Sequence, residues 1–285
     1  MGTGQPGGTF AIFGPSWGRL ITKATDVEVV YASTGGSRSN LLMIEEGNAQ
    51  LGLCSLMVAI QAYNGTNSWT AGAQLQQFRV LFPAFPSVLQ IVAKAAGPTT
   101  LAGLAGRSIG AGPVGVGDPT LMETIFSSLD IVPGHIEAGD YTQQVDQLLK
   151  GDLDACAFWG APPNAAIRAV AARNRLRLIG LSEAEASQVC RFVPGLSRMI
   201  LTSGTFPGQT VDVGSVGTPA IAIGTASLPD NLAKAITLAS IQHPQALATR
   251  VPVSLQRPLL RAIHETGVPF HPGAIAALRQ LGYRF

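Results

Sequence analysis

The chain has 285 residues, of which 46% are hydrophobic and 13% charged, and its formal net charge is +2. That length carries one large core or two smaller ones, and so little charge excludes a disordered tail and a basic arm for nucleic acid. No run approaches the roughly eighteen uncharged apolar residues of a membrane helix; the most apolar stretch, residues 216–226, is short, contains Gly217, Pro219 and Gly224, and reads as a buried strand.

From the amino end, "GQPGGTF" (4–10) is a loop that leads into an apolar, helix-like run over 10–24. "VEVVYAS" (27–33) reads as a strand, and "SNLLMIEEG" (39–47) as a short helix with Ser39 at its N-cap and Gly47 as its stop. Residues 49–56 read as a strand, and 79–95 as two strands broken by Pro83 and Pro86. "LAGLAGRSIGAG" turns into another strand. Residues 118–129 form a well-signalled helix, with Asp118 at the N-cap and Pro119 at the first helical position. An amphipathic helix over 140–151 stops at Gly151. Then follow a strand over 153–160, a helix over 164–174, a strand over 176–182, a strand over 218–225 and a helix over 229–242. The C-terminal third is mostly helical and ends in "HPGAIAALRQLG". This alternation predicts an α/β architecture with largely parallel sheets. The strands outnumber one comfortable sheet, so two lobes are expected, 1–95 plus 206–285 and 96–205, with crossovers near 82–95 and 200–210.

"RSIGAGPVGVGDPT" (107–120) satisfies the dinucleotide pattern G-x-G-x-x-G through Gly110, Gly112 and Gly115, with Asp130 about twenty residues on. The context contradicts it. The preceding strand is short and carries Arg107 and Ser108, and the helix signal starts at Asp118, after Gly115 and Gly117. The third glycine therefore lies outside the helix it should open. What remains is a glycine loop before a helix N-terminus. Such loops suit an anion or a polar ligand head, or are ordinary tight turns in which glycine supplies positive φ. Residues 4–10 and 31–40 have the same character.

Cys54 and Cys156 stand in apolar, strand-like runs and read as small buried hydrophobes. With Cys190 they make an odd number without C-x-x-C spacing, and His135, His243, His264 and His271 are scattered, so neither a metal centre nor a cofactor is expected. No nucleophile triad, H-E-x-x-H or phosphate-loop lysine stands out, and Asp152 and Asp154 read as a solvent-facing strand edge. "GTGQPGGTF" lacks the basic flank and apolar core of a leader, so the chain is either cytosolic or has lost one.

Six segments in order, "GTGQPGGTF", "STGGSRSNLLMIEEGNAQLGL", "LAGRSIGAGPVGVGDPT", "DACAFWGAPPNAA", "TFPGQTVDV" and "HPGA", resemble the TAXI family of TRAP-transporter solute receptors from residue 2 to the last helix. The resemblance implies a two-lobed type II periplasmic binding protein, each lobe a mixed sheet flanked by helices. It implies no enzyme and no cofactor, but a monomeric, periplasmic receptor whose leader has been removed. The receptor would close on a small carboxylate or amino acid in an interlobe cleft, with hinges near 82–87 and 203–209, and deliver it to the membrane components of a TRAP transporter. The alternative is a binding protein of an ATP-driven transporter, of the thiamine-precursor type; a small-molecule enzyme on the same fold is the third reading.

The resemblance places the ligand against Thr9, Phe10, Thr34, Gly35, Gly36, Ser37, Ser55, Phe85, Gly115, Val116, Gly117, Asp118, Trp159, Gly160 and Ala161. Thr34 to Ser37, in the intact "STGGS", would hold a carboxylate. Arg38 would face solvent, and Trp159, Phe10 and Phe85 would supply apolar walls or core. The sequence departs from the family where Phe10-Ala11 replace two tyrosines, Val116 and Asp118 replace two hydroxyl residues, and Cys54-Ser55-Leu56 replace Val-Gln-Ser. An ionised Asp118 would repel a carboxylate or hold an ammonium, or simply cap its helix. The changes together predict a less polar monocarboxylate, amino acid or aromatic acid.

Overall fold

A computed structural model of the protein describes residues 1–114, 119–171, 173–248 and 257–283. In chain order the elements are α1 (Thr9–Thr25), α2 (Ser37–Glu45), β1 (Leu51–Ser55), α3 (Leu56–Asn64), β2 (Phe78–Lys94), β3 (Ser108–Gly110), α4 (Pro119–Ser127), β4 (His135–Glu137), α5 (Tyr141–Lys150) and β5 (Ala155–Gly160). They continue with α6 (Ala165–Ala171), β6 (Leu176–Ile179), α7 (Glu183–Phe192), β7 (Ser197–Leu201), β8 (Val213–Thr225), α8 (Asp230–Gln242), α9 (Pro244–Ala248), α10 (Arg257–Glu265) and α11 (Pro272–Gln280).

The chain divides into two compact units, one of Met1–Pro6, Phe10–Pro86 and Pro219–Phe285, the other of Gly7–Thr9 and Ser87–Thr218. It passes between them on either side of Gly7–Thr9, within β2 and within β8, while residues 203–209 lie in the loop that joins β7 to β8 in the second unit.

In the first unit β1 runs antiparallel to the end of β8, from Leu51 opposite Gly224 to Ser55 opposite Ala220. An aromatic cluster fills its core. The Trp17 ring lies 5.5 Å from that of Phe82, and the Phe13 ring 5.3 Å from that of Phe85. Each such side chain, removed from water, contributes about 1.5–3 kcal/mol. Trp17 satisfies its indole N–H by donating to Ser240 Oγ at 3.0 Å. Helices α8 and α11 pack closely because Gly273 lacks a side chain; a Cβ there would collide with the Asp230 carbonyl oxygen.

In the second unit β3 pairs parallel with β4 and β5, β5 pairs antiparallel with β2, β2 antiparallel with β6, and β7 antiparallel with β8. A core of Val92, Tyr141, Val145, Leu148, Cys156, Phe158 and Ile167 fills one side of this sheet.

Several expectations are corrected. The sheets are mixed, and antiparallel pairs outnumber parallel ones among the described strands. The two strands expected over 79–95 are one continuous strand, β2 (Phe78–Lys94); its pairing with β5 starts at Val88, beyond both prolines, so neither proline withholds an N–H from that ladder. Residues 27–33 are not a strand. They make one bridge, Ala32 to Gly2, with few further bonds, and Val30 is 74% exposed. The helix predicted from Ser39 starts two residues earlier, at Ser37, with Gly36 as its N-cap. Asp118 as an N-cap falls outside the described residues. Cys54, Cys156 and Cys190 are free thiols.

Candidate functional site

Each unit gathers part of the predicted site. In the first, the turn into α2 is held from behind. Thr34 Oγ1 donates to Asn40 Oδ1 at 2.8 Å and accepts from the Gly36 N–H at 3.1 Å. Asn40, fully buried, donates through Nδ2 to the carbonyls of Thr3 and Leu53, both at 2.8 Å. The Thr34 hydroxyl is thus engaged within the turn. Gly36 sits at φ 108°, ψ −144°, in the region that favours glycine. Gly35 precedes it, half-buried.

β1 delivers the second half of this cluster. The Ser55 N–H donates to Ser37 Oγ at 2.9 Å, which puts the starts of α2 and α3 side by side. Neither helix has a side-chain cap, and neither has an acidic residue in its first turn. The first N–H groups of a helix have no partner inside it, and their dipoles favour an anion there. Ser55 occupies the N-cap of α3, a position from which serine ordinarily turns its hydroxyl back onto the helix. Here Ser55 Oγ is buried and makes no hydrogen bond. Such an orphan costs about 1–3 kcal/mol.

Arg38 does not face solvent as expected: it is half-buried, with its guanidinium carbon 5.7 Å from the centre of the Trp69 ring. Phe10 and Phe85 lie edge to face at 5.9 Å, both buried in the core. The Cys54 thiol, next to Ser55, is pushed far above its usual pKa by burial and donates to the Ser55 carbonyl at 3.1 Å. It is a packed hydrophobe rather than a nucleophile.

In the second unit the carboxyl ends of the parallel strands β3, β4 and β5 share one edge, the edge at which open α/β sheets bind ligands. Gly112, at φ 74°, follows β3. Its N–H donates to Gln144 Oε1 at 2.8 Å, and a Cβ on it would strike the Tyr141 ring. Tyr141 in turn donates to the Trp159 carbonyl at 3.2 Å. Gly160 ends β5 at φ 152°, where a Cβ would meet Thr9 Oγ1, and Thr9 Oγ1 accepts from the Ala161 N–H at 3.1 Å. Gln90 fixes the same turn. It donates to the Gly160 carbonyl at 3.1 Å and accepts from the Asn164 N–H at 2.7 Å, and Asn164 caps α6. So Thr9, Trp159, Gly160 and Ala161 form one cluster. Gly115, Val116, Gly117 and Asp118 lie outside the described residues.

Sequence reasoning missed Asn40, Gln90, Tyr141 and Gln144, which hold both clusters in place. The signal was present: Gln90 interrupts the apolar run "SVLQIVA", and a buried polar side chain inside such a run marks a hydrogen-bonded position. Burial pushes the Tyr141 phenol well above its usual pKa, with the Asp140 charge adding to it, and burial and Glu137 push the Cys156 thiol to about 12. Among the described residues no group of three His, Cys, Asp or Glu side chains could hold a metal ion, and no helix is long and apolar enough to cross a membrane.

Two units that exchange the chain within β2 and β8, with mixed sheets flanked by helices, have counterparts among solved structures. A protein described as a periplasmic transporter matches with a TM-score of 0.57 and 12% identity over 99% of this chain and 98% of that one. The GluR0 ligand-binding core in complex with L-glutamate matches at 0.52 and 13% identity over 93% of each chain. The same core from Nostoc punctiforme, also with L-glutamate, matches at 0.52 and 12% identity over 93% of this chain and 96% of that one. The fold is that of the two-lobed type II periplasmic binding proteins. The chain itself belongs to the NMT1-like family, whose profile it matches over residues 1–282.

Proposed function

We propose that the protein is an extracytoplasmic solute-binding protein that captures an amino acid or small carboxylate, without chemistry, and delivers it to a membrane transporter. The observation that carries this reading is the pair of uncapped helix starts at Ser37 and Leu56, joined through Ser37 Oγ, with the Ser55 hydroxyl buried beside them and unpaired. A carboxylate would satisfy these donors and the helix dipoles together. The two GluR0 cores bind L-glutamate on this fold, which adds support for an amino acid. The family match is to the NMT1-like family and not to the TAXI family that the motif order resembles. This favours an ATP-driven transporter as partner over a TRAP-type one.

The test is calorimetric titration of the full chain with a panel of amino acids and small mono- and dicarboxylates. Saturable binding of one class, weakened in Ser55→Ala, is expected. A flat panel, or turnover of a bound compound, would overturn the reading.

A further inference from the structure

In the second unit β6 is an edge strand: among the described strands it pairs only with β2. The Ala95 N–H donates to the opposite Arg175 carbonyl at 2.9 Å. Antiparallel partners alternate between pairs that exchange hydrogen bonds and pairs that do not. Arg177 and Ile179 therefore also spend their backbone groups on β2, while those of Leu176 and Leu178 point away from it. No described residue bonds them there. Further on the edge is closed, because the Leu181 N–H donates to the Gly214 carbonyl at 2.9 Å. A groove of about 450 Å³ adjoins the open stretch, lined by Leu176, Leu178, Phe206, Pro207, Val211 and Val213, with Val211 65% exposed.

Strand alternation puts Arg175 and Arg177 on one face of the edge and Leu176 and Leu178 on the other, where the leucines pack on the core. Arg173, Arg175 and Arg177 are exposed, and no Asp or Glu occurs from residue 155 to residue 182. Arg107, Arg198 and Arg261 each reach a carboxylate. Arg173, Arg175 and Arg177 make no ion pair among the described residues, and Arg177 donates to the Ala95 carbonyl at 3.1 Å. Asp212, between two of the lining valines, accepts from the Ser203 N–H at 2.8 Å. Charges on an open edge decide which strand it admits. A second copy paired antiparallel here would set arginine against arginine, which is destabilising. A strand with acids opposite Arg175 and Arg177 and apolar residues opposite Leu176 and Leu178 would answer the charge, the groove and the open backbone groups together.

We propose that β6 is a docking edge, taking as an added strand an extended segment of a partner protein in which acidic and apolar residues alternate. The edge lies wholly in the second unit and shares no residue with the solute-binding reading above.

The full chain is titrated by fluorescence anisotropy with a labelled short peptide of alternating glutamate and valine, and with its lysine–valine counterpart. Amide exchange at Leu176 and Leu178 is followed with and without peptide. Saturable binding of the glutamate peptide alone is expected, with slowed exchange at both leucines. Affinity should be about 3- to 10-fold weaker in the double variant Arg175→Ser, Arg177→Ser, through the loss of two cross-strand ion pairs. N-methylation of alternate residues strips the donors from one edge of the peptide. Methylating one set, the valines or the glutamates, should abolish binding, and methylating the other should spare it. Where the arginine variant fails to fold, the methylated peptides on the wild type decide alone. A glutamate peptide that does not bind, that leaves exchange at the leucines unchanged, or that binds equally in both methylated forms overturns the proposal. Binding of the lysine peptide, or a dimer of the chain that covers this edge, overturns it as well. None of these results bears on solute binding, which the amino acid panel tests separately.

Discussion

Among the described helix starts, two kinds stand in contrast. At α5, Asp140 accepts from the N–H groups of Thr142 and Gln143, and at α7 Ser182 and Glu185 form a reciprocal capping box. At α11 the His271 ring accepts from the Gly273 N–H at 3.2 Å. These starts are closed by the chain itself. At α2 and α3 no side chain does this, no acid stands in the first turn, and the one serine placed to cap holds its hydroxyl buried and unused. The start of α8 also lacks a side-chain cap, but Asp230 in its first turn answers the dipole. A helix end that the chain closes contributes to stability alone; one that it leaves open while surrounding it with buried polar groups is available for binding.

The largest effect is expected where the open pair is held. Asn40→Ala removes the donor from two carbonyls and the acceptor from Thr34. Thr34 can still donate to the Thr3 carbonyl at 3.1 Å, so the loss falls mainly on the Leu53 carbonyl and the cavity, and it should cost about 2–3 kcal/mol, read as a drop in the denaturant midpoint at constant slope. A loss under about 1 kcal/mol would mean that the turn into α2 is not held as described. Ser55→Ala separates binding from stability. Removing an unpaired buried hydroxyl should leave the fold unchanged or more stable by up to about 1 kcal/mol, while solute affinity falls roughly 3- to 10-fold. A destabilised variant with unaltered affinity would assign Ser55 to structure.

Ser182→Ala is the converse at a closed start. It should cost about 1 kcal/mol of stability with the dissociation constant unmoved, and a shift in affinity would break the division between the two kinds. The smallest effect is a pH dependence at α11. Burial lowers the His271 pKa from 6.5, the Asp230 charge opposes this, and Arg79 adds to it. The unfolded chain therefore takes up a proton near pH 6.5 that the folded one resists. The contribution of this cap is complete above that pH and fades as the pH falls below it. His271→Asn should flatten this part of the melting-temperature profile; an unchanged slope would place its origin elsewhere.

Much of the fold was legible where local signals were strong. Gly151 closes α5 in the left-handed region as expected, and Pro119 opens α4. The failures have physical causes. The prolines of β2 read as breaks because the sequence does not reveal that the β5 ladder begins beyond them. The apolar alternation of residues 27–33 reads as a strand, yet the segment bonds mainly to Met1–Thr3 and stays exposed. The box Ser182-x-x-Glu185 is a legible sequence signal for the start of α7, which the strand and helix expectations do not include. Of the site, the glycine turns and Ser55 were legible as loop chemistry. That Ser55 and Trp159 carry unpaired polar atoms was not, because an orphaned group is defined by neighbours distant in sequence.

A crystal structure of the protein with the tightest-binding solute of the panel decides whether the open helix starts hold the ligand. The solute's carboxylate is expected within hydrogen-bonding distance of Ser55 Oγ and of the first backbone N–H groups of α2. A solute bound elsewhere, with the Ser55 hydroxyl still unpaired, would contradict it.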